Sequence, residues 1–540
     1  MRKTAQILQE TDFDLLVIGG GIHGSSVARD AALRGLAVAL LEKADFGSGT
    51  SSKSSKLIHG GLRYLALGDF RLVFEALSER ATLLKIAPHL VQPSSFLLPI
   101  YSSGALGRLT ADLGLTLYDL LSSYKSLGSH RMLSCQETLR CASVLREEQL
   151  LGGALFSDCI MDDARLCLAT VLSAKEAGAT CLNYAEVRRV NGRNGDFHDV
   201  EALDRLTNAS FAVRARQIVN AAGPWAEAFL AKQGTRPRLH TLSRGTHILI
   251  NPALISQPLL VPVEGKRIFL LIPWKQSTLI GTTDMVFEGD PDDVQSTREE
   301  VAFLLKQTRR VLKKGILSKH QVIGGFCGLR SLLARPKKET ALLRRGYRIH
   351  ESRDGLLTII GGKFTTARKI AERVVGQVLR GLERPASASQ TARTPLIGGM
   401  TNGWHAFQAE AEREITEKWQ LGPETAAHLI STYGSRAGDI LSSCEQDKKL
   451  MTPLLPGQPY LKGEVVYAVE AELAERIDDF LLRRSGLAYS ADWGQTALEG
   501  SLTVLSEIGI WSKERVGEER ERYQQIVQQR NSLISLLAPR

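Results

Sequence analysis

Residues 14–18 read D-L-L-V-I, and residues 36–41 read L-A-V-A-L-L. Short apolar runs of this kind predict parallel strands buried on both faces. Between them lie three glycines and a stretch with helical spacing, so the opening is predicted as strand, turn, helix, strand. A long helix then ends at Pro88, and Asp162 is placed to cap another over 164–177, stopped by Gly178. Over 180–219 the pattern shifts to strands and turns, with Asn191-Gly192 and Asn194-Gly195 as turn signals. Residues 245–283 hold short alternating strands (T-H-I-L-I, R-I-F-L-L-I-P, S-T-L-I-G-T-T-D), with a companion helix over 297–312.

A strand ending L-L-T-I-I runs into Gly361-Gly362-Lys363 and a helix over 365–379. These elements predict an α/β core assembled from both ends of the first 384 residues, with an α+β antiparallel sheet inserted. The core draws mainly on 12–95, 150–235 and 350–384, and the sheet on 96–149 and 236–349. Residues 385–400, rich in Pro, Ser and Gly, form a linker. Beyond it the tail, 401–540, is predicted helical at 406–419, 424–433, 465–484 and 501–529.

The glycines decide the first function. Gly19, Gly21 and Gly24 make a G-x-G-x-x-G turn between strand and helix, where backbone N–H groups and the positive helix end can approach a pyrophosphate. Glu42 closes the second strand, placed to accept from adenosine ribose hydroxyls. Residues 216–225, R-Q-I-V-N-A-A-G-P-W, bring an apolar strand into small residues at Gly223. Backbone there can lie close to a flat cofactor.

A chain of 540 residues suffices for two or three domains. Its net charge of +10 suits anionic partners: a phosphorylated substrate, acidic lipid or nucleic acid. Neither zinc-finger spacing nor an RNA-binding aromatic strand occurs, so no nucleic-acid partner is expected. The seven cysteines include no C-x-x-C pair, which predicts no metal site and a reducing compartment. Residues 1–12 are short and polar, without a signal-peptide core, and no apolar window is long enough to span a bilayer. Residues 104–127 mix leucine and tyrosine with few charges: either a core-packed helix or one lying on an anionic lipid surface.

Redox chemistry on a bound cofactor needs a proton acceptor and a charge match for the substrate's remote end. His59, Arg63 and Tyr64 cluster in the glycine-containing segment K-L-I-H-G-G-L-R-Y. Arg330 follows C-G-L, Arg344 and Arg345 precede G-Y, and Lys363 follows two glycines. Arginine forks make bidentate bonds to phosphate. His59 and His247 are the candidate bases, while Asp284 is expected to organise its own turn.

Together I-G-G-G-I-H-G, T-S-S-K-S-S-K-L-I-H-G-G-L-R-Y-L, D-D-A-R-L, N-A-A-G-P-W, I-G-T-T-D and G-G-K-F-T-T-A-R-K resemble the FAD-dependent, aerobic-type glycerol-3-phosphate dehydrogenase family. The tail segment E-V-V-Y-A-V-E-A-E-L-A-E-R-I-D-D-F-L-L-R-R matches it too. The resemblance implies a glutathione-reductase-like, glycine-oxidase-like FAD-binding fold. It implies oxidation of sn-glycerol 3-phosphate to dihydroxyacetone phosphate, with electrons passing to membrane quinone. It further implies a peripheral protein at the inner face of the cytoplasmic membrane, often dimeric. Carried over, Gly19, Gly21, Gly24, Glu42, Thr50, Ser51, Ser54, Ser55, Gly362 and Thr365 hold FAD. His59, Arg63, Tyr64, Arg330, Arg345 and Lys363 surround the substrate. The chain departs from the family where S-G-V-R-P-L becomes C-G-L-R-S-L, and where the next loop turns basic through Arg335, Lys337 and Lys338. An oxidase using dioxygen and an amine or amino-acid oxidase are the alternative activities.

Overall fold

The computed structural model describes residues 1–65, 68–102, 107–122, 125, 127–235, 237–263, 267–333, 346–400 and 403–535. The predicted opening is present: strand Asp12–Ile18, helix Ile22–Leu33 and strand Val38–Leu41. Around it runs a parallel sheet in the order Leu357–Gly361, Ala209–Asn220, Asp12–Ile18, Val38–Leu41, Thr180–Leu182. Tyr347–Glu351 adds an antiparallel edge.

Three helices, Ile22–Leu33, Asp163–Glu176 and Ala367–Gly381, cover one face through Val27, Ala31, Val171, Ile370 and Val374. The other face packs under the helix Lys3–Glu10 and an antiparallel meander through Leu8, Phe13, Val200 and Val213. Both faces are therefore dry, which is why the central strands carry unbroken apolar runs. This is a Rossmann-like arrangement, as expected.

A second, ten-stranded sheet carries the insertion. Its spine pairs His240–Ile250 with Val322–Leu333 and Ser277–Gly281. Strand Leu150–Met161, grouped above with the cofactor region, instead pairs along Val91–Tyr101 in this sheet. The alternating pattern of 245–283 reflects its two differently covered faces.

The tail is helical, but two expected helices are broken. The one predicted over 501–529 is Gln495–Glu507 followed by Lys513–Ser535, interrupted at Gly509, whose φ of +75° ends a helix at little cost. The one predicted over 465–484 is Lys462–Glu470, then Ile477–Asp479 running into a wide turn, Phe480–Arg484. That turn directs Arg483 and Arg484 inward to Asp45. The tail shares a core with the second sheet, where Trp493, Tyr489 and Phe480 meet Phe326 and Trp274. Gly324 allows it: a Cβ there would stand 1.7 Å from the Trp493 ring.

Helix Arg108–Ser122 is packed on one face and open on the other. It buries Ala111, Leu115, Tyr118 and Ser122 and exposes Leu109, Leu113 and Leu120.

Candidate active site

The glycine turn packs too tightly for side chains. A Cβ on Gly24 would fall 1.8 Å from the Gly19 carbonyl oxygen, and one on Gly19, at φ +105°, 2.8 Å from that of Ala221. Gly21 begins the helix Ile22–Leu33 without a side-chain cap. Both Glu42 oxygens are engaged, Oε2 by the Gly20 N–H at 2.6 Å and Oε1 by that of Ala44 at 2.9 Å. Burial raises the Glu42 carboxyl above its usual range, and these two N–H groups oppose the rise. The acid is thereby fixed beside the turn.

Further elements complete a cradle. Gly223, at φ +55°, opens a short turn after the strand Ala209–Asn220. Gly362, at φ +92°, faces His23, whose Nε2 would lie 2.6 Å from an added Cβ. That buried nitrogen has no partner among the described residues, and burial lowers the ring to about 4. A glycine-lined backbone cradle, a buried acid at the end of the second strand and an unpartnered neutral ring suit a flat dinucleotide. The residues present fit FAD.

Protein contacts hold the segment 50–56 in place. Ser51 Oγ accepts the Ile22 N–H at 2.9 Å, at the start of the helix. The Thr50 hydroxyl donates to the Leu329 carbonyl at 2.7 Å, and that of Ser54 to Asp163 at 2.6 Å. These two brace the loop. Lys56, fully buried, completes the brace with 2.6 Å to Asp163 and 2.8 Å to the Ser52 carbonyl. Ser55 turns the other way, with its Oγ 2.9 Å from His247 Nε2.

Beside it opens a cleft of about 550 Å³, lined by Ser55, His59, Gly61 and Tyr64 on one side and by Thr282, Thr283 and Asp284 on the other. His247 is only 2% exposed and sits behind Ser55, stacked on Phe326 with ring centroids 5.0 Å apart. Burial first, then the positive charges of Arg330 and Lys56, hold its imidazole well below the ordinary range. The ring is therefore neutral, and its Nδ1 has no partner among the described residues. Arg330 donates to the Thr283 carbonyl at 3.1 Å and the Thr282 hydroxyl at 2.8 Å, which aims its fork beside the cleft. Gly245 leaves room for it, since a Cβ there would stand 2.3 Å from the guanidinium.

Lys363 reaches across from the other domain. Its Nζ lies 3.8 Å from the Tyr64 ring centroid, a cation–π contact. Thr365 Oγ1 accepts the His59 N–H at 3.4 Å. The structure thus brings Ser55, His59, Tyr64, His247, Arg330 and Lys363 together from four separated segments. The Arg63 side chain, Arg344, Arg345 and the basic loop with Arg335, Lys337 and Lys338 lie outside the described residues.

Several residues of the site carry no readable sequence signal. Tyr118 accepts the Gly60 N–H at 2.9 Å and donates to Asp158 at 2.6 Å, and Asp158 also takes Arg80 at 2.8 Å. Arg244 pairs with Glu300 at 2.8 Å on the cleft's far wall. Asp284, expected to organise its own turn, accepts from the Ser243 hydroxyl and stands 3.9 Å from Arg330, so its contacts here reach the strands beside it.

Known proteins match this arrangement along the whole chain. A model of FAD dependent oxidoreductases matches residues 14–372, and one of the C-terminal domain of alpha-glycerophosphate oxidase matches 389–516. A glycerol-3-phosphate dehydrogenase from Synechocystis sp. is 36% identical over 97% of both chains. An aerobic glycerol-3-phosphate dehydrogenase from Staphylococcus haemolyticus is 33% identical over 89% of this chain and 88% of its own. The crystal structure of a glycerol-3-phosphate dehydrogenase from Bacillus halodurans, complexed with FAD, superposes with a TM-score of 0.81 at 29% identity. It covers 100% of this chain and 98% of that one. The chain belongs to the FAD-dependent oxidoreductases, in the family of the glycerol-3-phosphate dehydrogenases.

Proposed function

We propose that this protein oxidises sn-glycerol 3-phosphate to dihydroxyacetone phosphate and delivers the electron pair to a membrane quinone. One observation carries the reading: a neutral buried imidazole, His247, stands next to a guanidinium aimed beside the same cleft, Arg330. A base beside an anion binder is what a phosphorylated alcohol requires.

FAD, held by the 19–24 turn, Glu42, Gly362 and Thr365, supplies the two-electron acceptor. The chain's own residues do the rest. Arg330 and Lys363 bind the phosphate and fix which end of the small substrate enters first. His247 accepts the hydroxyl proton at Nε2, the nitrogen that faces Ser55 on the cleft wall. The fixed charge of Arg330 favours the alkoxide character that develops as the proton leaves. Leu57, Phe96, Phe156 and Phe269 line the remaining wall and keep water from competing.

Membrane contact is supported by exposed apolar side chains on two neighbouring helices. Leu109, Leu113 and Leu120 are 72%, 62% and 72% exposed, and Phe70 and Phe74, in the first turns of the helix Phe70–Ile86, are each 48% exposed. Lys125 lies over the Phe74 ring at 4.4 Å, adding positive charge for an anionic headgroup. No described helix is long and apolar enough to cross a membrane; the attachment we propose, through this face, is peripheral and at the inner face of the cytoplasmic membrane.

Anaerobic titration tests the reading. Glycerol 3-phosphate, and not glycerol, should bleach the flavin, and a soluble quinone analogue should restore its colour without air. Absence of bleaching overturns the reading. The match to the oxidase C-terminal domain keeps dioxygen as the rival acceptor, and stoichiometric peroxide on admitting air in the presence of quinone would favour it.

A further inference from the structure

The tail carries no nucleotide motif, yet it reaches the cofactor cradle. Asp45 lies three residues beyond Glu42, in the turn that walls the glycine motif. Phe46, next to it, would meet a Cβ on Gly20 at 2.4 Å, and the Gly47 N–H donates to the Gly20 carbonyl at 3.0 Å. Asp45 is 1% exposed. Among the described residues, both of its ion-pair partners come from the tail: Arg483 through Nε, and Arg484 through both terminal nitrogens. The remaining donor is the Asn183 amide at 3.2 Å.

The two arginines are themselves held. Arg484 also donates to the Glu472 carbonyl at 2.8 Å, and Arg483 to Asp479 at 2.6 Å and Asp478 at 3.2 Å. Tyr184, from the cofactor domain, donates to Asp479 at 2.7 Å. The wide turn that interrupts the predicted helix is what points both arginines inward. A buried carboxylate without compensating charge is costly, so the tail arginines offset the burial of Asp45 in the shape that residues 42–47 adopt here.

We propose that the C-terminal domain is a positioning element for FAD: Arg483 and Arg484 hold Asp45, and through it the wall of the adenosine-side glycine turn. Docking of the tail and occupancy of the cofactor site are therefore coupled. The inference rests on FAD binding alone, and substrate turnover plays no part in its test.

The full-length chain is stripped of flavin and retitrated with FAD, following flavin fluorescence, alongside thermal unfolding. Arg484→Met should raise the FAD dissociation constant at least tenfold, and Arg484→Lys, which keeps the charge but loses the fork, should raise it less. The control is Glu464→Gln, which breaks the His428 and Tyr433 contacts inside the tail and touches no cofactor-loop residue. It should lower the unfolding temperature and leave FAD affinity within twofold. Unchanged affinity in the Arg484 variants that fold, or an equal loss in Glu464→Gln, overturns the proposal.

Discussion

Tyr118 holds the backbone of Gly60: its hydroxyl accepts the Gly60 N–H at 2.9 Å from a helix whose opposite face carries exposed leucines. The same hydroxyl donates to buried Asp158, which Arg80 also pairs. One side chain thus ties the outer helix to the segment bearing His59 and Tyr64.

Tyr118→Phe removes that hydroxyl and leaves a buried carboxylate one donor short and a backbone N–H unmatched. A loss of about 1–3 kcal/mol in stability is expected, together with a lower kcat/KM because His59 and Tyr64 lose their fixed backbone. Calorimetry and steady-state kinetics measure the two effects. A variant as stable and active as the parent would show the network to be incidental.

Arg330→Ala should remove the main charge match for phosphate. Leaving a desolvated phosphate unpaired costs about 2–5 kcal/mol in kcat/KM for glycerol 3-phosphate. The trace activity on unphosphorylated glycerol loses only the alkoxide stabilisation and should fall much less, so the ratio of the two substrates is the readout. An equal fall for both would mean Arg330 supports the base and not the phosphate.

The depressed His247 fixes the pH dependence. A base works only when unprotonated, so kcat/KM falls as pH drops through its pKa. Burial and the Arg330 and Lys56 charges lower that pKa. Activity should therefore stay flat as pH falls past the ordinary histidine value of about 6.5 and decline only in more acid solution. Arg330→Gln removes one opposing charge, and the acid limb should then move upward. A limb that stays fixed in this variant would assign it to another group, with His59 the first candidate.

Gly281 and Gly245 separate ring from fork. A Cβ on Gly281 would stand 2.2 Å from the His247 ring, which is backed by Phe326. One on Gly245 would meet the Arg330 guanidinium at 2.3 Å and the Thr282 hydroxyl that holds it at 2.6 Å, and not the ring. Gly281→Ala should cost about 1–3 kcal/mol by overpacking and cut kcat, whereas Gly245→Ala should mainly raise KM. Stopped-flow flavin reduction resolves the two effects. Similar kcat losses in both would rule out separate roles for ring and fork.

The opening unit was legible because its signals are local: strand, glycine turn, helix and acid fall within 31 residues of one another, from Asp12 to Glu42. The convergence of Ser55 on His247 was not, because 192 residues separate them and the strands that follow Ser55 and carry His247 are joined only through the long-range pairing of the second sheet. The bracing contacts of Thr50 and Ser54 were hidden for a related reason: their acceptors, Leu329 and Asp163, are distant in sequence. The break before Arg483 was hidden as well. Apolar spacing through 465–484 continues smoothly, and the pull of a buried Asp45 from another domain leaves no periodic trace.

The exposed leucine face makes the last prediction. Leu109, Leu113 and Leu120 lie on the side of their helix away from Ala111, Leu115 and Tyr118, so replacing them removes apolar surface without opening the core. Each leucine buried in lipid contributes about 1.5–3 kcal/mol. Replacing all three with serine should release the protein from anionic vesicles in a sedimentation assay, and high salt should weaken what binding remains through Lys125. Anaerobic flavin reduction by glycerol 3-phosphate in solution should persist, because the Tyr118 contact to Gly60 is intact. Electron delivery to a long-chain quinone embedded in vesicles should fall in step with vesicle binding. Loss of flavin reduction in solution would instead mean that the helix shapes the site directly, and undiminished vesicle binding would move the membrane contact to another face.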